Sequence, residues 1–331
     1  MLEQRWLGRR VTVRRVVGRT EQGRTQYGDV VGDLVRLDAS VAVIETRHGP
    51  VEVDLNTIMI GKPAPPSTAD ELALQAVMAS GWRAAETGHV GGWLLRATGG
   101  FTGRANSVLP LRAPGIPLEQ ALGQARAWYH AHGLPLRLMI PSEARRLLDA
   151  DLGERGWPIQ YGALVMAART DQLHANVRTD VDVQLHPRPD DAWFARYRDG
   201  AGTSETARAL LTRHDNVIFA SINDGDRAVA IGRATVDDRW LGVTAVEVDP
   251  ALRRAGLATA VMAALWRWGG GRGATHGYLQ VHSENEAAIG MYERQGYWVH
   301  HDYRYRIDPD DAANAVGVLA ESPRFPGDFV G

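Results

Sequence analysis

The sequence predicts a mixed α/β (α+β) protein in which a small all-β barrel precedes two segments of one topology, the second carrying the chemistry. Three observations lead there. Residues 5–60 hold four or five short alternating or apolar runs separated by turn residues. A shift of 140 residues (250 − 110) aligns S-V-L-P at Ser107–Pro110 with E-V-D-P at Glu247–Pro250 and then runs on without gaps. Val248 to Ala258, V-D-P-A-L-R-R-A-G-L-A, reads as an apolar strand that stops at a proline and turns into a helix.

Length and composition bound the rest. With 331 residues the chain holds two or three domains, and 44% apolar with 23% charged residues suits packed cores. A net charge of −2 gives no general pull toward nucleic acid or anionic lipid, so neither direct nucleic-acid binding nor a membrane role is expected. Cysteine is absent, which removes disulfides, zinc–thiolate sites and cysteine nucleophiles, and no metal is expected. The start, M-L-E-Q-R-W-L-G-R-R, lacks a hydrophobic signal core, and the expected location is cytoplasmic. Lysine occurs only at Lys62; arginine supplies the other basic residues.

Taken in order, residues 1–62 read as the barrel. R-R-V-T-V-R-R-V-V-G, Y-G-D-V-V-G-D-L-V-R-L, V-A-V-I-E-T and P-V-E-V-D-L are its strands, divided by Gly23, Gly28, Asp38 and the His48-Gly49-Pro50 turn. The segment resembles an SH3-like domain. Ten basic and eight acidic residues over 1–62 are too mild an excess to imply DNA binding. Residues 63–70 form a linker stiffened by Pro63, Pro65 and Pro66, and Asp70 can cap the helix E-L-A-L-Q-A-V-M-A-S.

Residues 71–170 form the first copy of the repeat and 178–308 the second. The register pairs Trp128 with Trp268, Gly133 with Gly273, Gly156 with Gly296 and Trp157 with Tyr297. The first copy lacks the turn residues: Arg253, Gly256 and Ala258 correspond to Ala113, Ile116 and Leu118, while Asn285 becomes Arg145 and Tyr292 becomes Leu152. It reads as a degenerate half that scaffolds or shapes the substrate site. In the second copy V-D-V-Q-L is a first strand and P-D-D-A-W-F-A-R-Y-R-D a helix. A loop over Gly200–Ser204 leads to helical E-T-A-R-A-L-L, and Asp224-Gly225 marks a hairpin between two strands. Residues 309–331 are a tail rich in Ala, Gly, Asp and Pro.

The chemistry-bearing residues follow from local physics. Gly256 lets backbone approach a ligand, and small Ala258 leaves the first helical turn uncrowded. Unpaired N–H groups and the positive dipole end suit a pyrophosphate, and Arg253 and Arg254 add charge. Arg253, Arg254, Ala255, Gly256, Leu257, Ala258 and Thr259 are therefore candidate cofactor-binding residues. Downstream, H-S-E-N-E-A-A-I-G-M-Y-E-R-Q-G-Y at His282–Tyr297 follows a strand at Tyr278–Val281; Ser283 or Asn285 can cap its helix and Gly296 can end it. Asn285 and Tyr292 are seven residues apart, about two helical turns, and share a face.

The two segments, in this order and spacing, resemble the cofactor half of GNAT-superfamily N-acetyltransferases over about Val181–Arg306. The whole layout resembles actinobacterial histone-acetyltransferase-like proteins with an SH3-like domain and tandem GNAT-like halves. The resemblance implies acetyl-CoA as co-substrate and an amine as acceptor. Tyr292 would protonate the departing thiolate, and Asn285 would hold the pantetheine or the splayed strand. Val246 and Val248 would lie on the strand edge to which pantetheine adds, the Val248 N–H polarising the acetyl carbonyl. Some family members carry a glutamate where this chain has Gln280, which cannot take a proton. Glu247 is the nearest alternative catalytic base, facing opposite to Val246 and Val248; pairing with an arginine is an equal reading. His282, Glu284 and a water chain are the remaining options. Asp190, Asp191 and Asp199 would suit a cationic acceptor or form a solvated helix face. The acceptor is protein lysine or a small amine; the alternative to an enzyme is an acyl-CoA-binding regulator with a recruiting SH3-like unit. The oligomeric state is left open.

Overall fold

The computed structural model describes residues 2–173 and 180–315, which fall into two compact units, Met1–Ser67 and Thr68–Gly331. In the first unit the alternating runs become β1 (Arg10–Arg19), β2 (Thr25–Leu37), β3 (Val41–Thr46), β4 (Gly49–Asp54) and β5 (Ile58–Pro63). They pair antiparallel in the order β4-β3-β2-β1-β5. Period-two alternation turns Val30 and Leu34 of β2 inward onto Val11, Val13, Ala42, Ile44 and Val53. Gly28, expected to divide two runs, instead lies inside β2 opposite Arg15. Gly32 is dictated by closeness, because a Cβ there would stand 2.0 Å from the Glu45 carbonyl oxygen.

The second unit opens with α1 (Thr68–Gly81), which starts inside the expected linker. Asp70 therefore sits in the first helical turn with Glu71 rather than at the cap, where both carboxylates suit the helix dipole. There follow β6 (Glu86–Val90), β7 (Trp93–Ala97), β8 (Leu109–Pro110), α2 (Leu118–Ala131), β9 (Arg137–Pro141), α3 (Arg146–Glu154) and β10 (Ile159–Arg169). The later part comprises β11 (Gln184–His186), α4 (Asp191–Arg196), α5 (Glu205–Thr212), β12 (Val217–Asp224), β13 (Arg227–Asp237) and β14 (Trp240–Val248). It ends with α6 (Leu257–Gly270), β15 (His276–His282), α7 (Glu286–Arg294), β16 (Trp298–Ile307) and α8 (Pro309–Ala315).

Two expectations shift. The strand read at Val181–Leu185 is only the three residues of β11, and the loop read at Gly200–Ser204 belongs to a 3-10 segment over Tyr197–Thr203. The hairpin at Asp224-Gly225 is present, with Gly225 at φ 59° and Asp224 opposite Arg227. Of the tail, residues 316–331 lie outside the described residues.

The repeat register reappears in the element bounds. Adding 140 to α2 gives 258–271, beside α6 at 257–270; adding it to α3 gives 286–294, the span of α7. The same step carries β9 to 277–281, within β15, and β10 to 299–309, over β16.

One eight-stranded sheet dominates, in the order β11-β12-β13-β14-β15-β10-β16-β9, with β6-β7-β8 as a separate small sheet. Only β14 and β15 run parallel; the other neighbours in the large sheet are antiparallel. The last strands interleave: β10 inserts between β15 and β16, and β16 between β10 and β9. Residues of the first segment are thereby built into the sheet beside β15. Helix α6 is apolar nearly all round and buries Val261, Met262, Leu265 and Trp266 over β12, β13 and β14. No helix among the described residues is long and apolar enough to cross a membrane.

Candidate active site

A kink in β14 creates the site. β14 and β15 pair only from Trp240 with His276 to Val243 with Leu279. On the other side, the register with β13 steps from Arg233–Thr244 to Ile231–Glu247, so Gly232 faces two residues of β14. That is a β-bulge, and it bends its strand. Ala245, within it, holds φ at 54°, a left-handed conformation costing an alanine about 1–2 kcal/mol. Where β14 bends away from β15 a cleft opens, ≈ 890 Å³ including its mouth. Val243–Val246 line one side, Leu279–His282 the other, and Asn285 and Tyr292 of α7 reach in from the end.

Past the cleft, β14 leads into the phosphate-type turn. Asp249 starts it: Oδ1 accepts the Ala251 N–H at 2.9 Å and Oδ2 meets Arg227 at 2.5 Å. The Ala251 hydrogen bond, with Arg227 and Arg196 nearby, holds the Asp249 carboxyl below its usual range. Arg254 (φ 64°) and Gly256 (φ 79°) then both take left-handed backbone, and α6 begins at Leu257. At Gly256 glycine is required for a relaxed turn, and the Leu257, Ala258 and Thr259 N–H groups have no carbonyl a turn earlier to bond. Arg254 is exposed, Arg253 and Ala255 half-buried. Thr259 Oγ1 accepts Gln295 Nε2 at 3.3 Å, tying α6 to the end of α7. This stretch fits a pyrophosphate but does not line the cleft itself.

Asn285 is the N-cap of α7, its Oδ1 accepting the Ala288 N–H at 3.1 Å, and it is buried at the cleft wall. Tyr292, two turns on, is 8% exposed. Burial alone pushes its phenol up to about 12. Val246 lines the cleft, whereas Val248 packs in the core opposite Ala230.

Glu247 faces away from both valines, as alternation requires, and is not among the cleft residues. Its Oε2 accepts the Arg198 backbone N–H at 2.9 Å, and Arg198 has φ 51°. The carboxylate thus braces the Tyr197–Thr203 segment against β14, outside the lining of the cleft. Gln280 does line the cleft and accepts hydrogen bonds from Arg104 Nε and from Tyr303 Oη at 3.4 Å. Glu284 lies outside the cleft. His282 lines it, beside Tyr161 at a ring distance of 6.4 Å. Asp190 caps α4 through Trp193 N, and exposed Asp191 pairs with Arg208 at 2.7 Å. The Asp199 side chain lies outside the described residues.

At the same place in the first segment the backbone is bridged rather than splayed. Val108, at the register position of Val248, bridges Leu138: Val108 N donates to Arg137 O at 2.8 Å and Met139 N to Val108 O at 2.9 Å. Arg145, at the position of Asn285, donates to the carbonyls of Pro110, Leu111 and Ala144. Leu152, at the position of Tyr292, is fully buried in the core.

Much of the cleft wall comes from residues the motifs did not flag: Trp82, Thr102, Arg104 and Tyr161 from the first segment, Tyr197 and Arg198, and Tyr303 and Tyr305 of β16. The alternation Tyr303-x-Tyr305 was a readable signal for one face of a strand; that this face meets the cleft depends on the interleaving of β10 and β16. Among the described residues, no group of three or more His, Asp or Glu could hold a metal.

Residues 68–306 match the family described as probable histone acetyltransferase Rv0428c, C-terminal. The chain is 32% identical over 311 residues to the probable histone acetyltransferase Rv0428c of Mycobacterium tuberculosis (strain ATCC 25618 / H37Rv), covering 90% of this chain and 94% of that one. It is 26% identical over 241 residues to the uncharacterized N-acetyltransferase YobR of Bacillus subtilis (strain 168), covering 71% and 97%. A GCN5-related N-acetyltransferase from Kribbella flavida shares the fold with a TM-score of 0.58 at 19% identity, covering 74% of this chain and 97% of that one.

Proposed function

Since this chain belongs to the Rv0428c family of probable histone acetyltransferases, an acetyl-CoA-dependent N-acetyltransferase of GNAT type, we propose that it acetylates a primary amine by direct transfer in the cleft between β14 and β15. The observation that carries this reading is the joining of three parts by one bent strand. The bulge at Ala245 opens the cleft, Tyr292 stands at its end, and β14 runs on into the Gly256 turn. The first-turn N–H groups of α6, with Arg253 and Arg254, would hold the pyrophosphate. The exposed edge of β14 at Val246 would take pantetheine as an added strand. Val248 shares that edge, because the Asp249 N–H donates to Val229 O of β13 and amides alternate in direction along a strand, leaving the Val248 N–H toward the open side.

In the transfer, the amine nitrogen bonds to the thioester carbonyl carbon and the carbon–sulfur bond breaks. Tyr292 donates its phenolic proton to the leaving thiolate; the acetylated nitrogen gives up a proton in turn, restoring the balance. His282 is the one cleft-lining side chain, among the described residues, with an imidazole or carboxylate, and we assign it the proton acceptor's role, directly or through water. Residues 71–170 are read as a degenerate GNAT-like half whose strands have exchanged with the active one. The first unit is read as an SH3-like recruiting module.

Free-thiol release from acetyl-CoA tests the reading, across an amine panel that includes lysine peptides. Having no cysteine, the protein adds no thiol background. Thiol release dependent on an amine, with matching N-acetyl product, is expected. Acetyl-CoA binding without amine-dependent release would reduce the chain to an acyl-CoA-binding module.

A further inference from the structure

We propose that the acceptor is a primary amine that also carries a carboxylate, and that Arg104 binds that carboxylate; this rests on the acetyl-transfer reading above. The cleft wall contains Arg104 and Arg198 and, among the described residues, no Asp or Glu. A site for a protonated amine with no further charge would be expected to present a carboxylate. This one presents two guanidinium groups framed by aromatic rings.

Arg104 is built for the purpose. It sits in a loop locked by Asn106, whose Oδ1 accepts the Thr98 N–H at 2.6 Å and the Gly100 N–H at 3.0 Å, and whose Nδ2 donates to Thr102 O at 2.8 Å. Ser107 Oγ adds a bond to Gly103 O at 2.7 Å. A Cβ on Gly103 would stand 2.5 Å from the Tyr161 hydroxyl, so the loop backbone lies directly on the tyrosine wall. The guanidinium rests over the Trp82 ring at 5.5 Å and donates Nε to Gln280 Oε1. Among the described residues no carboxylate pairs with it and Nη1 and Nη2 have no protein acceptor. A planar fork fixed at Nε, with its outer edge in a cleft, matches a carboxylate oxygen pair.

The charge also serves the chemistry. Only a neutral amine can attack, and nearby guanidinium groups disfavour the ammonium form. That same field repels a purely cationic acceptor, so the binding energy has to come from an anionic group elsewhere on the molecule. A lysine in a basic peptide lacks one; a free amino acid or an ω-amino acid has one.

The test compares a graded series of ω-amino acids, each beside its amide and its diamine, plus a basic lysine peptide, in the thiol-release assay on the full chain. Wild type should favour the best acid over its amide by on the order of 10- to 100-fold in kcat/KM, the scale of one charged hydrogen-bonded pair. Arg104→Met should bring acid and amide close together, chiefly through KM of the acid, while the acetyl-CoA dissociation constant by calorimetry stays unchanged, showing an intact fold. Arg104→Lys, which keeps the charge without the fork, should recover part of the preference. Equal use of acid and amide by wild type, or preference for the diamine or the basic peptide, overturns the carboxylate subsite and leaves the acetyl-transfer reading standing. No transfer to any amine, with acetyl-CoA bound, overturns both.

Discussion

Replacing Tyr292 by Phe removes one oxygen and almost no packing. The ring is 8% exposed, stands 6.0 Å from Tyr297 at 67°, and its hydroxyl makes no hydrogen bond among the described residues. No protein group is therefore orphaned, and stability should change by less than about 1 kcal/mol. With its pKa pushed up to about 12 by burial, the phenol stays protonated at pH 8. The donor form is complete across the working range, and Tyr292 itself imposes no fall in rate up to mildly alkaline pH. Loss of a positioned general acid lowers turnover by roughly 10²–10⁴, or about 3–5.5 kcal/mol of transition-state stabilisation. Thiol-release kinetics for wild type and Tyr292→Phe on the best acceptor would read kcat; calorimetry would read acetyl-CoA affinity. The expected outcome is a large drop in kcat with little change in affinity. Unchanged turnover would mean that Tyr292 only packs and that the thiolate leaves without its proton.

Arg145→Met should lower stability by about 1–3 kcal/mol in urea melts, since three backbone carbonyls lose their donor. It should not create a second acetyl-CoA site, because the Val108–Arg137–Met139 bonds still close the strands. A chain starting at Thr68 should stay folded and bind acetyl-CoA, as the first unit has its own core; loss of both on truncation would contradict this. Acid should destabilise the protein through His300 and His301. Burial lowers them to about 4 and about 3, His300 adding to the effect on His301. The unfolded chain binds protons first, near its ordinary value, so this stability is complete above pH ~6.5 and declines as pH falls toward the folded values, by at most ~1.4 kcal/mol per unit for each histidine. His301→Gln should flatten the fall in urea midpoint between pH 7.5 and 5.

What was legible in the sequence was local. The Asp224-Gly225 hairpin, the stop at Pro250, the Asn285 cap and the Gly256 turn each depend on a few neighbouring residues, and each lies where its chemistry puts it. The repeat register was legible too, through turn and core positions that recur at a fixed step. The misses were long-range. The Ala245 bulge carries no sequence signal, because alanine does not favour φ 54° and is held there by the sheet. Glu247 was placed on the right side of its strand, yet its partner is a backbone N–H 49 positions away in sequence. The interleaving of β10 and β16 brings Tyr161 and Arg104 to a cleft otherwise built by the second segment, and spacing along one chain does not encode that exchange. Gly28 looked like punctuation and is a strand residue.

The central claim is that a single acetyl-CoA site exists, at the turn after β14. Calorimetric titration with acetyl-CoA measures it most directly, on wild type, Gly256→Ala and Gly256→Glu. Gly256→Ala places a side chain at φ 79°, a strain of about 1–2 kcal/mol, and should weaken binding modestly. Gly256→Glu adds a carboxylate where the phosphates bind and should abolish it. One site per chain, lost in Gly256→Glu, is the predicted result; two equivalent sites, or one of undiminished strength in that variant, would contradict it.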